Sequence, residues 1–526
     1  MSTATSARPS FEFPDIEGVV VAPRIDTALD AGLAIAATRD AITFLALPVR
    51  VVAAPAIVDE FRDQPLATWT SNELTIVGVG IARELRGTGS ARWAEVIAGA
   101  HAIATNTPDV DDEPRDTLPT HLHGLDAAAA DPAPPVPRDL PCAVIAGRLA
   151  PITDLGFARP RFLGGAAFAP GAADHAPWAG FGDAWFALPR WTYVHDGTQA
   201  LLVLAVDARD AASSTRWRDE LAIFRAALAG HFVSRHQPAM VELARADAAQ
   251  WRDQVTSITD AIAHGTCSKI VAARTTSVQL AGPVRAAELL AALDDRHADC
   301  VRVLIKPPGA GALIAATPEL LVRREGDFVQ CDALAGSIAR TGDIEAAGQT
   351  LRASAKDRRE HQLVVDAIRS ALTEAGAQIV EPAADSEPAV RALRHVIHLH
   401  TPFRAVLRTP RHVLELAARL HPTPAVGGTP TDVASEWIRE REPVARGWYA
   451  APVGWFDLDG NGELAVALRS GVITGHRAHL WAGAGIVAGS DPDRELAETE
   501  VKLRAMLGAL GITDVPGDVP AEVSPK

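Results

Sequence analysis

The feature that most constrains the fold of this chain is the grouping of its strand-like runs. Short β-branched or aromatic runs at Leu201–Val206, Ile270–Ala273, Cys300–Ile305, Leu464–Leu468 and Ala478–Ala482 read as strands. Gly309 and Gly311 mark a turn between Val301–Ile305 and Leu313–Ala316, which predicts an antiparallel hairpin. Segments with a period near 3.6 residues at Arg218–Leu228, Leu243–His264, Leu351–Ala375, Val413–Leu420 and Arg494–Leu510 read as helices. Strands thus come in adjacent groups as well as alternating with helices. That order predicts an α/β (α+β) fold with large, mainly antiparallel sheets flanked by helices.

The 526 residues are 48% hydrophobic, enough for one or two large cores, so global disorder is excluded. Two stretches lack helical or strand period and are rich in Pro and Asp: Thr105–Pro141, a surface insertion or mobile loop, and the tail from Thr513 to Lys526. Fifty basic against sixty-five acidic residues leave a net charge of −15. A nucleic-acid or acidic-membrane binder needs a positive surface, so neither partner is expected. An anionic ligand would have to be held by a few placed charges. Cys142, Cys267, Cys300 and Cys331 lie far apart, without disulfide-framework or zinc-ribbon spacing. The longest apolar run, Ala41–Val58, is broken by Pro48, Arg50 and Pro55, and the N-terminus has no basic region followed by an apolar stretch. A soluble, cytoplasmic protein is therefore expected; a monomer is the working expectation for an oligomeric state the sequence leaves open.

Several familiar motifs fail. The glycines at 483, 485 and 489 in Ala482–Gly489 miss the dinucleotide-binding spacing by one position. No phosphate-binding G-K-[ST] and no zinc-protease H-E-x-x-H occurs. His398 and His400 share one strand face and could hold a metal, but no third ligand is near in sequence.

Charged residues on apolar helix faces say more. In Leu351–Ala375 the i+4 row Glu360, Val364, Ile368, Leu372 is otherwise a core stripe. A carboxylate on that line must be paired, protonated or metal-bound, unless it sits just beyond the buried part. In the last helix Glu495, Glu498 and Lys502 fall within about 60° of one another beside the apolar stripe. They form either a solvated Glu498–Lys502 pair or part of a hard-cation site with an anion partner. Glu360 with Glu498 would be a plausible pair of Mg²⁺ ligands.

Eight strings, in order, resemble the chorismate-utilising enzymes, most closely the isochorismate synthases: SKIVAAR (Ser268–Arg274), ATPELLVR (Ala316–Arg323), ALAGS (Ala333–Ser337), KDRREH (Lys356–His361), HLHTPF (His398–Phe403), LHPTPAVGG (Leu420–Gly428), GNGELAVALRS (Gly460–Ser470) and AGAGIVAGSDPDRELAETEVKL (Ala482–Leu503). The likeness is strong over 251–510 and weaker upstream, through FLGGAAF (Phe162–Phe168) and WFALPR (Trp185–Arg190). It implies layered antiparallel sheets that bind chorismate with Mg²⁺. It also implies a division into an N-terminal part of the fold (1–250, with the insertion near 105–141), a chorismate-binding catalytic region (251–510) and a flexible tail (511–526).

Carried over by position, Lys269 resembles the general base that activates water and Glu319 the acid that protonates the departing hydroxyl. Glu360 and Glu498 match Mg²⁺ ligands, and Glu495 a carboxylate that supports them through water. Arg469 and Tyr449 match groups that grip the enolpyruvyl carboxylate. Gly336, Gly483 and Lys502 match contacts around the substrate, His398 a nearby polar contact, and Ala425 the wall beside the ring. The chemistry is coherent, because adding water at one ring carbon while hydroxide leaves another needs a base and an acid on opposite sides. Lysine ordinarily titrates near about 10.4, so Lys269 must be shifted down and Glu319 held protonated.

Family members that aminate chorismate carry glutamine at the Lys269 position, so water is the expected nucleophile and isochorismate the product. Salicylate synthases share the lysine and also expel pyruvate, which makes them the alternative; a catalytically silent chorismate-binding protein is the non-enzyme alternative. HPTPAVGG favours enzymes that stop at isochorismate, and WFALPR resembles the menaquinone-pathway type more than the siderophore type. Ala355, Ala445 and Ala451 depart from the family pattern, the last two near Tyr449.

Overall fold

The computed structural model describes residues 19–22, 42–105, 142–145, 159–230, 234–340, 343–383 and 386–512, with residue 232 and a few positions between 29 and 37. The Pro/Asp-rich stretch 106–141 and the tail from Thr513 lie outside the described residues. Among those residues the chain builds a 14-stranded and a 10-stranded sheet, and the strand pairings are antiparallel. The expected mixed fold with large antiparallel sheets is what forms.

Side-chain alternation sets the layers. In strand Ala200–Val206, Leu201 and Val203 enter one core while Leu202 and Leu204 enter another. Successive residues of a strand point to opposite faces, so the large sheet is buried on both sides and reads as an unbroken apolar run. One face is covered by helices Ala54–Glu60, Ser214–Ala229, Ala286–Arg296 and Pro492–Ala509, through Ile57, Phe224, Leu290 and Leu507. The other packs towards the smaller sheet, through residues such as Phe186, Val322, Phe403 and Leu464. Strands from the first 250 residues lie beside later ones, as where Leu66–Thr70 pairs with Val301–Lys306. Among the described residues no helix is long and apolar enough to cross a membrane.

The hairpin forms as its glycines predict, Val301–Lys306 pairing with Ala312–Thr317. Two helical readings need correction. Met240–Arg245 is an edge strand paired with Lys269–Leu280, and the helix begins only at Ala248, where the Asp247 carboxylate accepts from the Ala249 N–H. The 351–375 segment is two helices, Ile344–Ala353 and Ala355–Glu374. Ser354 interrupts them because its hydroxyl accepts from the Asp357 N–H and caps the second. Val364, Ile368 and Leu372 of that helix are buried, each worth about 1.5–3 kcal/mol of transfer free energy. They fix the face on which Glu360 sits.

Candidate active site

The site lies where the large sheet meets helices Ala355–Glu374 and Pro492–Ala509. Its floor is the pairing of Lys269–Leu280 with Arg477–Ile486, which sets Val271 opposite Gly485 and Ala273 opposite Gly483. Lys269 opens its strand fully buried, and its Nζ donates to Glu360 Oε1 at 2.8 Å. Gly485 makes room for this pair: a Cβ there would lie 2.5 Å from Glu360 Oε1 and 2.9 Å from Lys269 Cε. Burial alone would raise the Glu360 carboxyl, but the Lys269 ammonium, helped by Lys502 and Lys356, outweighs it and holds the group below the usual carboxylate range.

The last helix supplies a second pair. Lys502 Nζ sits 2.7 Å from Glu498 Oε1 and donates to the Gly483 carbonyl at 2.8 Å, which ties helix to floor. Burial disfavours its charge, yet Glu498 wins and raises its pKa. Glu495, one turn earlier, is buried and pairs with Lys356 at 2.8 Å. Burial, then its neighbours Glu360 and Glu498, pushes Asp357 up, countered in part by Ser354 and Lys356. An oxygen-only, mutually repelling donor set of this kind suits a hard divalent cation. Glu360 and Glu498 fit the role of ligands because both line one cavity, and Glu495 stands behind them.

On the same cavity, Glu319 follows strand Ala312–Thr317, its N–H donating to Thr317 Oγ1. Burial, with Asp332 adding, pushes its carboxyl up to about 8 against the pull of Lys269 and Lys502. It is a neutral acid at pH 7. Strand Phe328–Ala339 bulges between Ala335 and Ser337, where Gly336 takes φ +73° and approaches Asp357 closely. Beyond the bulge Ser337 Oγ meets His398 Nδ1 at 2.9 Å, while His398 Nε2 is buried without a partner among the described residues. Burial, with Arg469 adding, keeps His398 neutral. Two non-glycine residues with positive φ flank the cavity, Ala450 at +58° and Arg469 at +47°. Strained backbone of this sort persists where surrounding structure enforces it. Tyr449 is buried with its ring stacked on Trp481 at 6.3 Å.

These walls border roughly 780 Å³ of space, part of it open to solvent. Glu319, Gly336, Glu360, His398, Ala425, Tyr449, Arg469, Gly483, Glu498 and Lys502 all line it. Lys269 reaches it through Glu360, and Glu495 through the same acidic cluster. His398 and His400 do not act as a pair: His400 Nε2 is engaged by Asp332 at 2.9 Å. Ser337, Gly485 and Trp481 also form the site and were not singled out by sequence reasoning. Gly485 had a usable signal, as the second glycine of an alternating pair inside a strand; Trp481 had none.

A family model described as "chorismate binding enzyme" matches residues 148–511. The chain is 33% identical over 471 residues to the salicylate biosynthesis isochorismate synthase of Pseudomonas aeruginosa, covering 86% of this chain and 87% of that protein. It is 37% identical over 283 residues to the isochorismate synthase MenF of Bacillus subtilis, covering 53% and 59%. Its fold is similar to the solved structure of the menaquinone-specific isochorismate synthase MenF from Escherichia coli, with a TM-score of 0.69 at 24% identity over 92% of this chain and 99% of that one.

Proposed function

The chain belongs to the chorismate-binding enzyme family, and on that premise we propose that it is an isomerase, an isochorismate synthase. The observation that carries the reading is a buried amine and a neutral buried acid at one cavity: Lys269, fully enclosed, and Glu319, raised to about 8. Water attacks one ring carbon and gives its proton to Lys269 Nζ. The ring double bonds shift, and the departing hydroxyl takes the Glu319 proton and leaves as water. Lys269 Nζ meets the cavity beside Glu360, its partner at 2.8 Å. Glu319 starts protonated because burial and Asp332 hold it so.

Glu360 and Glu498 would hold Mg²⁺, with Glu495 supporting them; the ion supplies concentrated positive charge for a substrate carboxylate. Arg469 and Tyr449 grip the enolpyruvyl carboxylate. Lys502, Gly336 and Gly483 contact the substrate, His398 offers its free nitrogen, and Ala425 bounds the ring. In a chain of net charge −15, binding a dianion depends on such local cations.

Incubation of the purified protein with chorismate and Mg²⁺, followed by product chromatography, tests the reading. Isochorismate alone is expected. Salicylate with pyruvate would instead assign a salicylate synthase, and no turnover a silent binding protein. The likeness of WFALPR to the menaquinone-pathway type supports menaquinone synthesis as the pathway; an unchanged menaquinone pool after deletion would remove that assignment.

A further inference from the structure

A second group of reactive side chains lies on the turn from helix Ala286–Arg296 into strand Val301–Lys306, in the sequence His297-Ala298-Asp299-Cys300. The Cys300 N–H donates to the His297 carbonyl at 3.0 Å and folds the turn back on itself. Arg302 Nη1 donates to the carbonyls of Ala298 at 3.1 Å and Cys300 at 2.6 Å, which pins that shape. One ligand atom each from His297, Asp299 and Cys300 consequently lies within 4.8 Å of the other two.

His297 gives the group its meaning. It is 1% exposed, and neither ring nitrogen has a hydrogen-bond partner among the described residues. A buried polar group left unpaired is costly, and the proposed activity does not use this ring. Cys300 is buried, its Sγ 3.9 Å from Asp299 Oδ1. Arg469, at the wall of the cavity, donates to that sulfur at 3.6 Å. Asp299 is exposed and opens the group to solvent.

We propose that His297, Asp299 and Cys300 bind a transition-metal dication of the zinc class at a site separate from the carboxylate-lined cavity. Imidazole nitrogen, thiolate sulfur and one carboxylate oxygen are ligands that zinc takes tetrahedrally, with a fourth position left over. Metal–sulfur and metal–nitrogen bonds of about 2.3 and 2.0 Å put those two ligand atoms roughly 3.5 Å apart. The present spacing therefore closes with side-chain rotations of about an ångström. His395, whose ring centre is 6.0 Å from that of His297, is a candidate fourth ligand. On binding, the Cys300 S–H bond breaks, its proton goes to solvent and a sulfur–metal bond forms, with no change of oxidation state. Mg²⁺, which demands oxygen ligands, does not suit this set.

Titration of the metal-stripped, full-length protein with Co²⁺ alone tests the proposal. One equivalent should produce a thiolate-to-cobalt charge-transfer band that Zn²⁺ bleaches and a large excess of Mg²⁺ leaves intact. Cys300→Ser should abolish the band. Asp299→Ala, at an exposed position that the fold does not need, should retain it with affinity weakened by about tenfold or more. Absence of the band from the native protein, its persistence in Cys300→Ser, or unchanged affinity in Asp299→Ala would each overturn the site.

Discussion

Glu319 and Glu360 line the same cavity, yet they hold opposite protonation states. Burial raises both carboxyls. At Glu360 an ammonium 2.8 Å away reverses the effect; at Glu319 the like charge of Asp332 reinforces it. Neighbours, more than depth, decide which acid keeps its proton. The helix wall is a bank of ion pairs, whereas the strand-turn wall holds one acid kept neutral.

Removing the ammonium should produce the largest effect. Lys269→Ala is expected to lower turnover about 10²–10⁴-fold with chorismate affinity largely intact; near-normal kcat in steady-state assays would remove Lys269 from its role. Amide substitution then separates the two walls. Glu360→Gln leaves a buried ammonium unpaired and should cost about 3–5 kcal/mol in urea unfolding at pH 7. Glu319→Gln replaces a neutral acid with a neutral isostere and should be no less stable than the native protein. Equal losses in the two variants would abolish the contrast. Gly485→Ala pushes a methyl against the Lys269–Glu360 pair and should reduce kcat by up to about 10²-fold while the protein folds.

The last effect lies in pH. The folded pKa of Glu319, about 8, exceeds its unfolded value of 4.5. The stability it contributes is fully present below 4.5 and is lost as pH rises through about 8. Native and Glu319→Gln unfolding curves should accordingly agree in acid and separate in base, the variant becoming the more stable. Turnover of the native enzyme should fall over the same rise, as the acid ionises.

Glu360 was legible in the sequence because a carboxylate in line with Val364, Ile368 and Leu372 breaks an apolar stripe. Glu498 and Lys502 were legible as an edge, though not as neighbours of Glu360, since their meeting depends on how two helices cross the sheet. Lys269 was not legible from pattern: a lysine opening a strand looks solvated, and only the family resemblance singled it out. The helix read over Leu243–His264 takes in the end of strand Met240–Arg245, because six residues at a sheet edge carry too little alternation to override the helical period that follows. Ser354 went unread although its cap chemistry was present. The His297 turn was passed over because its three ligands converge through a fold-back that spacing alone does not reveal.

Lys269 stands in a ladder, paired with Thr429 on one side, while the next residue, Ile270, pairs with Ile486 on the other. A backbone amide paired in this way exchanges with deuterated water only when the ladder that holds it opens. The amine is therefore held in register from both sides, at the very start of its strand.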